Sequence, residues 1–464
     1  MSRINITTAI PYVNGEPHLG HALELVETDV LARHRRLRGD DVRFLTGTDD
    51  NALKNVRAAE AEGIPVAELV GRNAGRFAAL REPLQLSSDD FIRTSVDTRH
   101  RRGVEELWRA CAARGDLYER DYEGLYCAGC EAFLTTERCA EHPEPLERVA
   151  ERNWFFRLSR YEEAVRAALE SSRVRIEPVE RRNEALAFVR TGLADLSVSR
   201  SRARAHGWGI PVPGDAGQVI YVWFDALGNY VTADPRRWRE ADERVHVIGK
   251  GILRFHAVYW PAILLSAGLP LPTEILVHDY VNVGGRKLGK SLGNAVALAA
   301  LVERYGGDAL RWWLLREAPL ARDVDFREEL LVARANHELA NGIGNLVSRT
   351  IGLADGPREA PPALGALPAE IDAALGRFDL RRATEAIWAA VQEANRLVER
   401  TRPWELRGRE RETVVAQLVG TCRRLAAELE PFLPEAAGRI AAALDGEAPA
   451  AVFPRLSVPE AARP

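Results

Sequence analysis

The 464 residues predict an α/β protein: a parallel sheet at the start, a small metal-binding insertion and an α-helical bundle at the end. Three observations carry this. A largely apolar run from Ile4 to Ile10 is followed by helical spacing at Leu23, Val26, Val30 and Leu37, and then by a second strand pattern from Val42 to Thr46. Cys127, Cys130, Cys139 and His142 fall in two closely spaced pairs. From about Glu328 onward, Ala/Leu/Arg-rich amphipathic segments with few strand signals fit a bundle of four or five helices.

Length allows two to four domains, and 46% hydrophobic content suffices for ordinary cores. No early segment has a signal-peptide build and no apolar run reaches spanning length, so a soluble cytoplasmic protein is expected. Five cysteines do not make an even disulfide framework. A net charge of −4 argues against a wholly basic surface but leaves room for a local arginine-rich face that holds phosphates.

Pro17-His18-Leu19-Gly20-His21 links the first strand to the first helix, which Gly39 is placed to stop. Unpaired N–H groups of a first helical turn, the helix dipole and two imidazoles suit an anion such as a phosphate. Gly20 leaves room for a flat base or ribose. Two surface histidines on an amphipathic helix fit the same residues.

The second strand delivers Gly47-Thr48-Asp49-Asp50 at its carboxyl end, the edge where open parallel sheets bind ligands. Asp49 suits a substrate ammonium group or, equally, a helix cap. Helical patterns fill the region from about Val66 to Arg114.

Cys127-Ala-Gly-Cys130, eight residues, then Cys139-Ala-Glu-His142 place four soft or borderline ligands within tetrahedral reach. Zinc fits better than free thiols, and four protein ligands leave no open position for water, so the metal is expected to be structural. Cys111 and Cys422 fit buried small apolar residues. The aromatic cluster Trp154-Phe155-Phe156 reads as core. Apolar alternation from Leu196, followed by Trp208-Gly-Ile-Pro211-Val-Pro213-Gly214, reads as a strand returning to the main sheet.

The chain has only four lysines, Lys54, Lys250, Lys287 and Lys290, amid abundant arginine. Two of them, three apart in Gly285-Arg286-Lys287-Leu288-Gly289-Lys290-Ser291, point to positions that need a compact, mobile ammonium rather than any positive charge, although, apart from the scarcity of lysine, a solvated basic turn fits the same residues.

His18-Leu-Gly-His21 and the Lys287 loop together resemble the two signatures of class I aminoacyl-tRNA synthetases. The remaining stretches narrow the resemblance to the methionyl-tRNA synthetases, over nearly the whole chain. It implies a Rossmann-like nucleotide-binding sheet with an inserted zinc knuckle, and four regions: 1–114 and 196–327 as the two catalytic halves, 115–195 as the insertion, and 328–464 as an anticodon-binding bundle. It further implies that His18, His21, Lys287 and Lys290 stabilise the reacting phosphates, with Gly20, Ser291 and Arg200 also at ATP, and that Asp49 holds the amino group. The pocket residues would be Ile10, Tyr12, Trp223, Ala226, Leu227, Tyr230, Ile252 and His256, with Trp260 as a further wall and Tyr12 or His256 as the weak donor near a thioether. Cys127, Cys130, Cys139 and His142 would be the knuckle. Asn345 and Arg349, one helical turn apart, and Trp404 match anticodon-reading positions; from local sequence alone, Trp404 reads as a residue closing the bundle.

The sequence departs from the family pattern at Asn51-Ala52 for a usual His-Gly, at Gly228 for a bulky aliphatic, at Gly251 for an aspartate, at Asp279 for a glycine, and at Leu288-Gly289 for Met-Ser. The implied activity is methionine–tRNA ligation with methionine, Mg-ATP and tRNA(Met), one structural zinc, no DNA or membrane partner, a monomeric state, and no appended tRNA-binding domain. The departures keep two alternatives open: a specialised paralogue with altered substrate, inhibitor tolerance or rate, and a non-catalytic tRNA-binding protein.

Overall fold

The computed structural model describes residues 1–127, 132–134, 136–139, 145–287, 297–319, 321–354, 364–447 and 451–458. The chain opens as β1 (Arg3–Thr8), α1 (Leu19–Leu37), β2 (Asp41–Thr48), α2 (Leu53–Glu62), α3 (Val66–Ala78), β3 (Asp90–Arg93) and α4 (Thr98–Ala113). It continues as β4 (Leu117–Cys127), β5 (Ala132–Leu134), β6 (Glu147–Phe156), α5 (Glu162–Glu170), β7 (Arg175–Glu177), α6 (Val179–Arg190) and β8 (Leu196–Ser197). Then come β9 (Ser199–Ser201), β10 (Pro211–Val212), β11 (Asp215–Ile220), α7 (Val222–Thr232), α8 (Pro235–Glu240), β12 (Glu243–Gly249), α9 (Trp260–Ala267) and β13 (Glu274–His278).

These elements and the remainder form two compact units: residues 1–17, 40–79 and 88–277, and residues 18–39, 80–87 and 278–464. The first unit holds a six-stranded sheet of order β3-β2-β1-β12-β13-β7. β1 pairs in parallel with β2 and β12, β2 with β3, and β13 with β7. β1 is central and buried along nearly its whole length, as a parallel strand covered on both faces must be. Strand order reverses between β1 and β12, so the crevice at their carboxyl ends is the topological switch point. Gly47 permits the close approach of β2 to β3, since a Cβ there would lie 2.1 Å from the Ile92 carbonyl oxygen. The core beneath the sheet includes Trp108, Phe156, Phe224, Trp238 and Trp260.

Two strand expectations are corrected. The stretch from Val66 to Arg114 is not helical throughout: β3 interrupts it and forms an edge of the main sheet. Nor does Leu196 start a strand of that sheet. β8 joins a four-stranded sheet of order β5-β4-β6-β8, and β9 a three-stranded sheet of order β10-β11-β9. Polar side chains decide this: Ser199 Oγ accepts the Trp154 N–H at 2.8 Å, and Arg200 donates to Ser197 Oγ at 2.9 Å. The strands that return to the main sheet are β12 and β13, whose runs 245–248 and 275–277 are buried. Phe155 and Phe156 are core as expected, and Cys111 and Cys422 are buried.

The second unit contains α1, a three-stranded sheet of β14 (Val281–Val283), β15 (Arg286–Lys287) and β16 (Val324–Asp325), and helices α10 (Leu298–Tyr305), α11 (Gly307–Glu317) and α12 (Glu328–Arg334). A wide-turn segment, Ala335–Gly344, carries α12 directly into α13 (Asn345–Leu353). α14 (Leu367–Leu375), α15 (Leu380–Thr401), α16 (Gly408–Leu429) and α17 (Pro434–Leu444) follow. Counting α12 to α13 as one rod, the described residues from Glu328 make five helices, within the expected range.

α1 is tied into this unit by ions. Arg311 on α11, fully buried, lies 2.8 Å from Asp29 and donates to the carbonyls of Leu84, Pro431 and Phe432. Arg33 reaches Glu430, and Arg38 reaches Asp372 and Glu428. Buried charges are retained in this way only when each donor finds an acceptor. No helix among the described residues is long and apolar enough to cross a membrane.

Candidate active site

In the first unit the carboxyl ends of β1 and β2 bring Tyr12 and Asp49 side by side: they form a β-bridge, and the Asp49 N–H donates to Pro11 O at 2.9 Å. Asp49 is buried. It does not cap α2, whose N-cap is Ala52 without a side-chain bond; its Oδ1 accepts the Asn51 N–H at 3.1 Å. Its neighbour Asp50 is occupied differently, accepting from Thr48, Ser95 and Arg93.

Aromatic faces gather nearby. Trp223 stacks on Phe255 with centroids 3.7 Å apart and meets Tyr12 and His256 edge-on at 6.2 and 6.5 Å. The Tyr230 hydroxyl lies 2.8 Å from His256 Nε2, and His256 Nδ1 lies 3.0 Å from the Ile252 carbonyl. A carbonyl only accepts, so Nδ1 carries the proton and Nε2 accepts from Tyr230. His256 therefore has its one N–H engaged. Burial pushes His256 down to about 4, against a smaller upward pull from Ile252 O, so the imidazole is neutral at pH 7. His246, below Tyr230 and bonded to Thr7 Oγ1, is likewise driven well down by burial and by His256.

Among the expected pocket residues, Tyr12, Trp223, Tyr230, Ile252 and His256 form this linked set. Ile10 packs on Leu45, Ile92 and Ala233, Leu227 and Trp260 belong to the main core, and Ala226 is buried on α7. The indole N–H of Trp223 is buried with no acceptor among the described residues, a donor the sequence reading missed. Also missed was a buried chain on α4 and α7: His100 Nε2–H donates to Asp225 Oδ1 at 2.5 Å, His100 Nδ1 lies 2.9 Å from Thr232 Oγ1, and Asn51 Nδ2 donates to Asp225 Oδ2 at 2.7 Å. No local pattern signals it, because its partners lie more than a hundred positions apart in sequence. Gly228 is explained by packing, since a Cβ there would sit 3.0 Å from Val104 on α4. Gly251 lies in an exposed turn after β12. Arg200 is buried with its guanidinium 4.3 Å above the Tyr221 ring, lining a cavity shared with Asn51, Tyr126 and Arg204.

In the second unit His18 is the N-cap of α1. Its Nδ1 accepts the Gly20 N–H at 3.1 Å, and His21 Nδ1 accepts the His18 N–H at 3.1 Å, a reciprocal capping box in which the rings stack at 3.7 Å. Because both Nδ1 atoms accept, the neutral rings carry their protons on Nε2. Burial, then His18 and His278, keep His21 well below the usual histidine range. The room at Gly20 is taken by His18: an added Cβ would lie 3.0 Å from its Cε1.

Behind this cap lies a cluster the sequence did not announce. His278 Nε2 sits 3.1 Å from Glu24 Oε2, and its Nδ1 sits 2.9 Å from the carbonyl of Asp279, a buried residue. Burial lowers His278, but the Glu24 bond and the charges of Glu27 and Glu24 carry it up to about 9. Burial raises Glu27 to about 7, with His278 pulling the other way. Lys287 stands on β15, in register with Asn282 of β14. Leu288, Gly289, Lys290 and Ser291 lie outside the described residues, as do Cys130 and His142; Cys127 ends β4, and Cys139 is half-buried. Among the described residues no cluster of three or more metal-ligating side chains occurs.

On the bundle, Asn345 is exposed on α13, and the Arg349 guanidinium lies 5.6 Å from the ring centroid of Trp404. Trp404 is 54% exposed, so it does not close the bundle, whereas its neighbour Pro403 is buried. α15 ends at Arg402 in the left-handed conformation (φ 45°), which turns the chain to present the indole.

A sheet whose order reverses beside β1, followed by a helix capped by His-x-Gly-His, is the framework of a class I aminoacyl-tRNA synthetase. Residues 4–144 and 138–351 match the family model described as tRNA synthetases class I (M), and the chain belongs to that family. It is 42% identical over 468 residues to the methionine–tRNA ligase of Brucella suis biovar 1 (strain 1330), covering 94% of this chain and 90% of the relative. With the methionine–tRNA ligase of Rhizobium meliloti (strain 1021) it shares 41% over 515 residues, 98% of each chain. A crystal structure of Mycobacterium tuberculosis methionyl-tRNA synthetase bound by methionyl-adenylate superposes with a TM-score of 0.88 at 38% identity, covering 97% of this chain and 100% of that one.

Proposed function

We propose that this chain is a methionine–tRNA ligase: it activates methionine with Mg-ATP to methionyl-adenylate and pyrophosphate, then transfers the methionyl group to tRNA(Met). The observation that carries the reading is the α1 cap, where two neutral imidazoles turn Nδ1 inward and keep Nε2–H as donors. The methionine carboxylate attacks the α-phosphorus and pyrophosphate leaves, so positioning and electrostatics supply most of the catalysis. His18 and His21 donate to the phosphate oxygens as charge develops there, with Gly20 between them. Lys287 and Lys290 follow the charge onto the departing pyrophosphate, with Ser291 beside them; Arg200 supports the nucleotide. Asp49 holds the ammonium group. Tyr12, Trp223, Tyr230, Ile252 and His256, with Ile10, Ala226 and Leu227 behind, receive the thioether in a neutral, polarisable setting.

Cys127, Cys130, Cys139 and His142 would hold one structural zinc. Thiolate and imidazole chemistry supports this, as does the position of Cys127 at the end of β4, paired with Ala132 of β5. Bound there, the metal contributes to folding. Asn345, Arg349 and the exposed Trp404 read the anticodon, Trp404 by stacking. We divide the chain into catalytic halves 1–114 and 196–327, insertion 115–195 and bundle 328–464, acting as a cytoplasmic monomer.

The test is methionine-dependent ATP–pyrophosphate exchange, run against leucine, norleucine and homocysteine, followed by charging of tRNA(Met). Exchange that prefers methionine supports the reading; its absence with methionine sinks it. A paralogue with altered substrate, the alternative left open by the departures at Asn51, Gly228, Gly251, Asp279 and Gly289, predicts exchange with another of these amino acids.

A further inference from the structure

We propose that Asn51 is a positioning residue for the substrate ammonium group: its backbone N–H fixes the Asp49 carboxylate while its side-chain amide is anchored on the buried Asp225–His100 pair. This rests on the amino-acid activation proposed above.

Two adjacent carboxylates, Asp49 and Asp50, follow β2. Asp50 is spent on the β3 end, accepting from Thr48 Oγ1 at 2.8 Å, Ser95 Oγ at 2.6 Å and Arg93 Nε at 3.1 Å. Asp49 stands beside Tyr12, with its Oδ1 on the Asn51 N–H. The orientation of that N–H depends on where the Asn51 side chain is held. Asn51 Nδ2 donates to Asp225 Oδ2 at 2.7 Å, and Asp225 is itself immobilised by His100, whose other nitrogen meets Thr232. Asn55 Nδ2, donating to the Asp49 carbonyl at 3.0 Å, fixes the backbone on the other side.

The chain Thr232–His100–Asp225–Asn51–Asp49 therefore runs from two core helices to a carboxylate beside the aromatic set. Asn51 closes it with a neutral amide. A cationic side chain in its place would compete with an incoming ammonium for Asp49, and an anionic one would repel both flanking carboxylates. Second-layer hydrogen bonds of this kind orient the group that touches the ligand.

The experiment is steady-state ATP–pyrophosphate exchange by the full chain and by Asn51→Ala, Asn51→Ser and Asn51→His. Inhibition is measured with methioninol, which keeps the ammonium, and with 4-(methylthio)butanoate, which keeps only the carboxylate. Asn51→Ala is expected to raise the methionine KM about ten-fold, with the ATP KM within about two-fold of the parent. Methioninol should weaken by the same factor and 4-(methylthio)butanoate should not. Asn51→Ser, which keeps the backbone N–H but is too short to reach Asp225, should behave as Asn51→Ala and serves if that variant does not fold. Asn51→His, neutral above its titration and able to donate to Asp225, should recover most of the methionine affinity. Equal loss of methionine and ATP affinity, or equal weakening of both inhibitors, would overturn the inference and leave a purely structural role. A parent with no methionine-dependent exchange removes the activation reading and the inference with it.

Discussion

His256 in the first unit and His278 in the second are both buried, and burial alone lowers a histidine's pKa, yet they end on opposite sides of neutrality: His256 is pushed down to about 4 and His278 up to about 9. Their neighbours account for the difference. His256 meets a phenol and a backbone carbonyl, which satisfy a neutral ring. His278 meets Glu24 and the charge of Glu27, which reward a cation despite desolvation. One region thus gathers aromatic faces around a neutral histidine, and the other is an ionised cluster behind the paired-histidine cap.

That contrast can be broken from either side. The largest effect is expected at the cap. His21→Ala removes the Nε2–H donor proposed to meet developing phosphate charge and should lower the exchange kcat by about 10²–10³-fold, with the methionine KM within about two-fold. Trp223→Ala deletes the ring stacked on Phe255 and should do the reverse: methionine KM rises by roughly 30-fold or more and unfolding free energy falls by about 3 kcal/mol, read by denaturant titration.

Glu24→Gln is expected to cost about 2 kcal/mol near pH 6.5. The sign follows from the raised folded-state pKa of His278. Its stabilisation is present in full below the ordinary histidine value and lost as pH rises through about 9, so the gap between parent and variant narrows across that window. The His278 resonance of the variant should titrate lower than that of the parent. Tyr230→Phe should have the smallest effect, about 1 kcal/mol at pH 7. The folded-state pKa of His256 is depressed, so the parent loses stability as pH falls from the ordinary histidine value through about 4. Burial sets that depression, so the variant is expected to lose stability over the same acid range as the parent.

Local pattern made β1, α1, the His-x-Gly-His start and the five-helix tail legible, because periodicity and punctuation are carried by neighbouring residues. β3 escaped because four residues between helical stretches leave too little alternation to detect. The return strands were misplaced because Ser197, Ser199 and Arg200 alternate like a half-buried strand yet require hydrogen-bond partners that only the small sheets provide. At the site, the histidine cap was readable from spacing, but its partner His278 lies 254 positions from Glu24, and Asp225 lies 125 from His100. Exposure of Trp404 was likewise unreadable, since it depends on the left-handed turn at Arg402.

The proposed division into an aromatic amino-acid side and a phosphate side at the histidine cap is tested most directly by methionine titration calorimetry without ATP, on the parent, His21→Ala and Trp223→Ala. The account predicts that His21→Ala keeps the parent's methionine Kd within about two-fold while Trp223→Ala weakens it by roughly 30-fold. Methionine affinity lost at His21 and kept at Trp223 would contradict it.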